Sequence, residues 1–243
     1  MNTGSKLLDY SKLHLFGIEL AFIELKNYQS VIENFLDEEK LRLKTSFDES
    51  DFVHKIEMKT ETERDYHSYL LDQYAERSWE LNELYPHNFR ASFLTQIISF
   101  IEYELKKICD HYQLLNNSPL GISDLKGNSD YEKSRTFLSK VGGVAFSNLE
   151  PEWSFINKSR VIRNKIIHQQ GLLSITDKDF KQIDDFVKME PGLKYKQENA
   201  SKGFENVTEF TLIINSKEFS LNLLVKTETF FKKLLENELK YIS

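Results

Sequence analysis

Cysteine is nearly absent: Cys109 is the single one in 243 residues. That excludes an internal disulfide and any cysteine-based zinc cluster. Only 4 prolines and 9 glycines interrupt the chain, which argues for long helices and against an all-β fold. No stretch approaches the roughly 18 uncharged apolar residues that span a bilayer, so no membrane segment is expected. The opening Met1-Asn2-Thr3-Gly4-Ser5-Lys6 leads into no apolar signal segment, and a reducing cytoplasm is the expected compartment. What is plentiful is aromatic: 18 Phe and 11 Tyr can fill a sizeable core.

Net charge is −6, which at first sight argues against a nucleic-acid ligand. Its distribution is uneven. Residues 1–89 carry 10 basic and 18 acidic groups, residues 90–171 carry 11 and 8, and residues 172–243 carry 11 and 12. Only the middle third is positive, and Lys158, Arg160, Arg163 and Lys165 fall within eight residues of it. Binding phosphate requires a local field rather than a basic protein, although a solvated helix face gives the same pattern.

The periodicity predicts a mainly α fold. Residues 6–47 read as one long helix or two in succession, with Leu15, Ile18, Phe22 and Leu25 at helical spacing. A charge-dense helix follows over 51–84, with Tyr66, Leu70, Tyr74 and Arg77 on one face and Pro86 as its stop. The strongest helix runs over 92–112 on Phe93, Ile97, Phe100, Ile101, Leu105 and Ile108, and Asn116-Asn117-Ser118-Pro119 ends it. After a polar connection, a short helix over 131–141 stops at Gly142-Gly143. Pro151 opens the next helix, which runs to Gln170 and is closed by Gly171. A short helix at 177–189 and a turn at Pro191-Gly192 precede a candidate hairpin of 194–197 and 207–214. The last helix spans 219–241. The chain divides into an N-terminal helical extension (1–88), a core (89–173) and a C-terminal part (174–243), all within one domain.

On the Pro151–Gln170 helix, Phe155, Ile156, Ile162, Ile166 and Ile167 define a core-facing arc, and Arg163 lies inside it. A guanidinium among isoleucines is unfavourable unless it is paired or reaches into a cleft. A buried salt bridge with Glu102 is the structural explanation. A cleft is the functional one. His168 occupies the last helical turn, where a histidine interacts with free carbonyls and the negative end of the helix dipole. There is no phosphate loop, no G-x-G-x-x-G and no G-x-S-x-G. His14, His54, His67, His87 and His111 lack a zinc-type i, i+4 pairing, so no metal and no cofactor are assigned. Cys109 reads as packed rather than reactive.

The string Ser159-Arg160-Val161-Ile162-Arg163-Asn164-Lys165-Ile166-Ile167-His168 resembles the R-x4-H signature of the HEPN superfamily, in which the residue after Arg is commonly Asn, Asp or His. Trp153 upstream, Gly171 downstream, the helix Phe93–Cys109 with Glu102 near its middle and, more weakly, Asp124-Leu125-Lys126-Gly127 extend the likeness over about residues 89–173. The resemblance implies a helical bundle that forms a homodimer, with two R-x4-H motifs facing one cleft. It further implies a metal-independent endoribonuclease of the toxin or antiviral, abortive-infection type. Arg163 and His168 are then catalytic, Asn164 and Glu102 supporting, and Lys158, Arg160 and Lys165 phosphate-binding. RNA is the expected substrate, and an antitoxin or regulatory protein a further partner. The alternative is a non-catalytic module on the same fold that binds RNA, a nucleotide or a protein.

Overall fold

The computed structural model describes residues 3–48, 60–196 and 209–239, with side chains from residue 11 onward. The chain is mainly α. Helix α1 runs unbroken over Thr3–Asp48, a span free of proline. Leu15, Ile18, Phe22 and Leu25 are buried along it, as their spacing predicts. The first part of the next expected helix, residues 51–59, lies outside the described residues. Helix α2 covers Glu61–Trp79 and starts at a reciprocal cap: Thr60 Oγ1 accepts from the Glu63 amide at 3.2 Å, and Glu63 Oε2 accepts from the Thr60 amide at 3.0 Å. None of its residues is buried. Tyr74 stacks on Phe47 at 3.8 Å, so α2 packs against the end of α1 through this aromatic contact.

Pro86 does not end the helix. A π-turn at Glu80–Leu84 carries the chain straight into α3, Tyr85–Leu115, with Pro86 in its first turn. Proline has no N–H and clashes with the carbonyl four residues earlier. The wider π-turn directly before it changes the hydrogen-bond register and removes that conflict. Helix α3 is the centre of the core: Phe93, Leu94, Ile97, Ile98, Ile101, Leu105 and Ile108 are all at most 1% exposed. Asn116 caps it and Asn117 takes a left-handed φ of 48°.

Helix α4, Asp130–Lys140, begins at Ser129, whose hydroxyl accepts from the Glu132 amide. Helix α5, Glu150–Gln169, has its proline in the first turn. Helix α6 covers Phe180–Met189, and α7 covers Glu218–Lys233, continued by a π-turn to Glu238. Helices α1 and α5 each pack against both α3 and α7, so α1 and α5 stand at opposite corners of a bundle.

The candidate hairpin is present as β2 (Leu193–Lys196) and β3 (Glu209–Ile214), paired antiparallel with Tyr195 opposite Leu212. The loop expected around Gly203 lies outside the described residues. A third strand has no counterpart among the expected elements: β1, Leu172–Ser174, pairs with the other edge of β3. It follows α5 directly, because Gln170 (φ 53°) and Gly171 (φ 79°) reverse the chain. Gly171 sits so close to β3 that a Cβ there would lie 2.5 Å from the Leu212 carbonyl oxygen. Its own carbonyl accepts from the Leu212 amide at 2.9 Å. The C-terminal end of α5 is therefore clamped to the sheet. Among the described residues, no helix is long and apolar enough to cross a membrane.

Candidate functional site on helix α5

The N-terminal half of α5 is anchored on three sides. The buried Glu152 accepts from Lys233 of α7 at 2.9 Å. Trp153, part of the sequence resemblance, is 3% exposed and stacks on Tyr131 of α4 with centroids 4.5 Å apart. Ile156 and Ile162 are fully buried, and Phe155 nearly so. The core-facing arc ends there. Ile166 is only partly covered, and Ile167, which the helical wheel assigns to the core, is 47% exposed.

The four cations of the basic cluster separate into different environments. Arg160 is the partner of Glu102: its Nε donates to Glu102 Oε1 at 3.1 Å, its Nη2 donates to Ser129 Oγ at 3.1 Å, and its guanidinium lies 4.8 Å from the Tyr131 ring centre. The sequence pairs Glu102 with Arg163; in the structure it braces Arg160 instead. Lys165 binds Asp177 at 2.8 Å and Asp179 at 3.3 Å, tying α5 to the turn after β1. Burial lowers the Lys165 pKa, but the hydrogen bonds it donates to Asp177 and Asp179 outweigh it and the net shift is upward. Arg160 and Lys165 are both expected phosphate ligands, yet each is already committed to a carboxylate. Lys158 lies 5.5 Å from the Phe186 ring centre.

Arg163 differs. It is half-buried, and among the described residues no carboxylate lies within ion-pair distance of it. Its Nη1 donates to Asn164 Oδ1 at 2.8 Å, and its Nε is buried without a hydrogen-bond partner. An orphaned buried donor costs about 1–3 kcal/mol, more on a charged group, which a ligand oxygen could recover. His168 is exposed in the last turn and makes no hydrogen bond or ion pair among the described residues. It lies five positions after Arg163, about 140° around the helix and about 7.5 Å along it. The two are not bonded to each other within one chain.

One side of α5 opens onto a groove of about 620 Å³. Ile166, Ile167 and Gln170 form one wall, and His87, Asn88, Ser92 and Thr95 from α3 form the other. Arg163 lies one turn before Ile166 and Ile167 on the same side of α5. The groove is lined by neutral hydrogen-bonding groups around two isoleucines. His87 has no i, i+4 partner in the sequence and so draws no attention there. Its Nδ1 accepts from the Ile214 amide at 3.3 Å, which puts the proton of the neutral ring on Nε2. Burial, then the charges of Arg90 and Lys196, lower its pKa, so the ring is neutral at pH 7. A run of small or polar residues at helical spacing, His87, Asn88, Ala91, Ser92 and Thr95, on an otherwise apolar helix is the signal that marks this groove.

Cys109 is buried, with its thiol 3.8 Å from the Ser134 carbonyl and its pKa pushed up to about 12, so it is packing rather than chemistry. Among the described residues, no cluster of three His, Cys, Asp or Glu is placed to hold a metal ion. Compared with protein-family models, with curated proteins and with solved structures, the chain matches none.

Proposed function

We propose that the chain is a HEPN-type endoribonuclease that cuts RNA without a metal, works as a homodimer, and serves as a toxin or an antiviral, abortive-infection effector held in check by a partner protein. The observation that carries this reading is the state of Arg163. In a segment where Arg160 and Lys165 are neutralised by carboxylates, the arginine of the R-x4-H motif alone combines partial burial, an unpaired Nε and the absence of any acidic partner among the described residues. A structural arginine would have been paired as Arg160 is.

The chemistry requires little else. The 2′-hydroxyl of the substrate attacks the adjacent phosphorus, forming the O2′–P bond and breaking the P–O5′ bond. A base accepts the 2′-hydroxyl proton and an acid gives one to the departing 5′-oxygen, leaving a 2′,3′-cyclic phosphate and a 5′-hydroxyl. His168 is exposed and suited to either proton transfer. The Arg163 fork suits phosphate oxygens. One chain supplies one such histidine at this helix end, and a two-fold pairing of α5 supplies the second. Asn164 fixes the Arg163 guanidinium from one side.

The test is cleavage of mixed RNA in EDTA by the full chain. The expected products carry 2′,3′-cyclic phosphate or 3′-phosphate with 5′-hydroxyl ends, and DNA is left intact. His168→Ala should lose at least about a hundredfold in rate, and Arg163→Ala a similar amount with an unchanged circular dichroism spectrum. Products with 5′-phosphate ends, or cleavage only on adding Mg²⁺, would refute the mechanism. No cleavage by folded protein would favour a module that binds without cutting.

A further inference from the structure

Helix α1 is apolar on two opposite sides. One side is the core stripe. On the other, Leu13, Phe16, Leu20, Ile23, Val31 and Phe35 are between 45% and 68% exposed. At about 100° per residue these six fall within roughly 120° of arc, directly opposite the buried Leu15, Ile18 and Phe22. From Leu13 to Phe35 the outer stripe is about 33 Å long. At roughly 100 Å² per side chain the six offer roughly 600 Å² of apolar surface, comparable to the largest patches on monomers and most of one side of a standard interface. Asn27 and Asn34, also exposed, sit within the stripe. A polar residue in such a position fixes register when a partner covers it.

The charges beside the stripe identify the partner. Between Leu13 and Phe35 the charged side chains, apart from the buried His14, are Glu19, Glu24, Lys26 and Glu33. Two of these are committed within the chain: Glu33 to Arg90 at 2.7 Å, and Lys26 to Glu228 at 2.6 Å. Glu19 on one flank and Glu24 just inside the opposite edge have no ion pair among the described residues. Beyond the ends the exposed Lys12 and Glu38 offset each other, and the exposed Asp37 is paired with Lys40. Glu24 is the midpoint of the stripe. Two copies paired in register, parallel or antiparallel, would therefore set Glu24 beside its own copy with no cation to separate them, which disfavours self-association. We propose that the outer face of α1 is the docking surface for an amphipathic helix of a different protein, one with a continuous apolar stripe and lysine or arginine on its flanks. Because α1 and α5 occupy opposite corners of the bundle, such a partner leaves the α5 groove open. The surface stands whether or not the chain cuts RNA, and its test involves none.

The probes are two labelled helical peptides of about six turns with the same leucine stripe, one flanked by lysines and one by glutamates. Each is titrated with the full chain at physiological salt and followed by fluorescence anisotropy. The lysine peptide should bind saturably at one per chain, and the glutamate peptide at least about tenfold more weakly. Leu20→Asp with Ile23→Asp, both at exposed positions, should weaken binding of the lysine peptide at least about tenfold without altering the circular dichroism spectrum. Glu19→Lys with Glu24→Lys should reverse the peptide preference, and this pair decides the question even if the double aspartate variant misfolds. Equal binding to wild type and the double aspartate variant would mean bulk charge attraction and overturn the proposal. So would a preference of the wild type for the glutamate peptide. A chain that is dimeric alone and becomes monomeric on Leu20→Asp with Ile23→Asp would overturn it too, assigning the stripe to a second copy.

Discussion

Two arginines three residues apart on α5 have opposite fates. Arg160 has a carboxylate, a hydroxyl and an aromatic face; Arg163 has one amide oxygen. The helical wheel places Arg163 on the inner arc, but which arginine meets Glu102 depends on how α3 and α5 are rotated against each other. A single-helix pattern carries no information about that rotation. Glu102→Gln should therefore act through Arg160. The pair is partly exposed, so the loss of stability is at most about 1 kcal/mol. RNA cleavage should fall much less than with His168→Ala. Equal losses in a side-by-side rate measurement would put Glu102 in the catalytic set. His87 gives a pH prediction. Its folded pKa lies below the ordinary 6.5, chiefly through burial, so the unfolded chain takes up a proton that the folded chain resists. Its contribution to stability is full above pH 6.5 and is lost as pH falls from there through the lowered folded value. His111 shifts in the same direction, so the comparison needs a variant. His87→Asn should show a smaller drop in melting temperature than wild type between about pH 7.5 and about pH 5.5; identical drops would show that His87 does not contribute.

At the level of elements, what repeats along one segment is readable in the sequence and what depends on two segments is not. The buried stripes of α1 and α3, the proline start of α5 and the glycine stops all appear where spacing and turn chemistry put them. The hairpin of β2 and β3 is readable because both strands lie near a turn signal. The three residues of β1 are not, since so short a strand exists only through its partner. Pro86 misleads because a stop and a first-turn proline look alike, and the preceding π-turn decides between them. Gly171 is where local and distant requirements meet: a left-handed φ and the approach of the Leu212 carbonyl. Gly171→Ala should therefore destabilise the fold by at least about 1–3 kcal/mol, read from the midpoint of urea unfolding. It should also loosen the α5 end that carries His168. A variant as stable as wild type would mean that the α5–β1 junction can shift freely.

For the molecule as a whole, the proposed homodimer requires one face to meet a second copy. Both corner helices of the bundle expose apolar side chains. The stripe on α1 is long and carries the unpaired Glu19 and Glu24, whereas the α5 face is small and carries Arg163 beside Ile167, with His168 one residue further on around the helix. Ile167 shares the inner arc with Ile162 and Ile166 on the helical wheel, yet it is 47% exposed at the groove. Such a residue next to an unpaired guanidinium is what a partner surface would cover. If two chains pair through α5 to bring two histidines together, Ile167 sits near the axis. Ile167→Asp should then convert a dimer to a monomer in light scattering at micromolar concentration. It should also abolish RNA cleavage, although neither Arg163 nor His168 has been touched. Leu20→Asp with Ile23→Asp on α1 should leave both mass and cleavage unchanged. A wild-type monomer that cleaves at full rate would show that one chain suffices. A dimer that survives Ile167→Asp would place the two-fold axis elsewhere and leave each His168 to act alone.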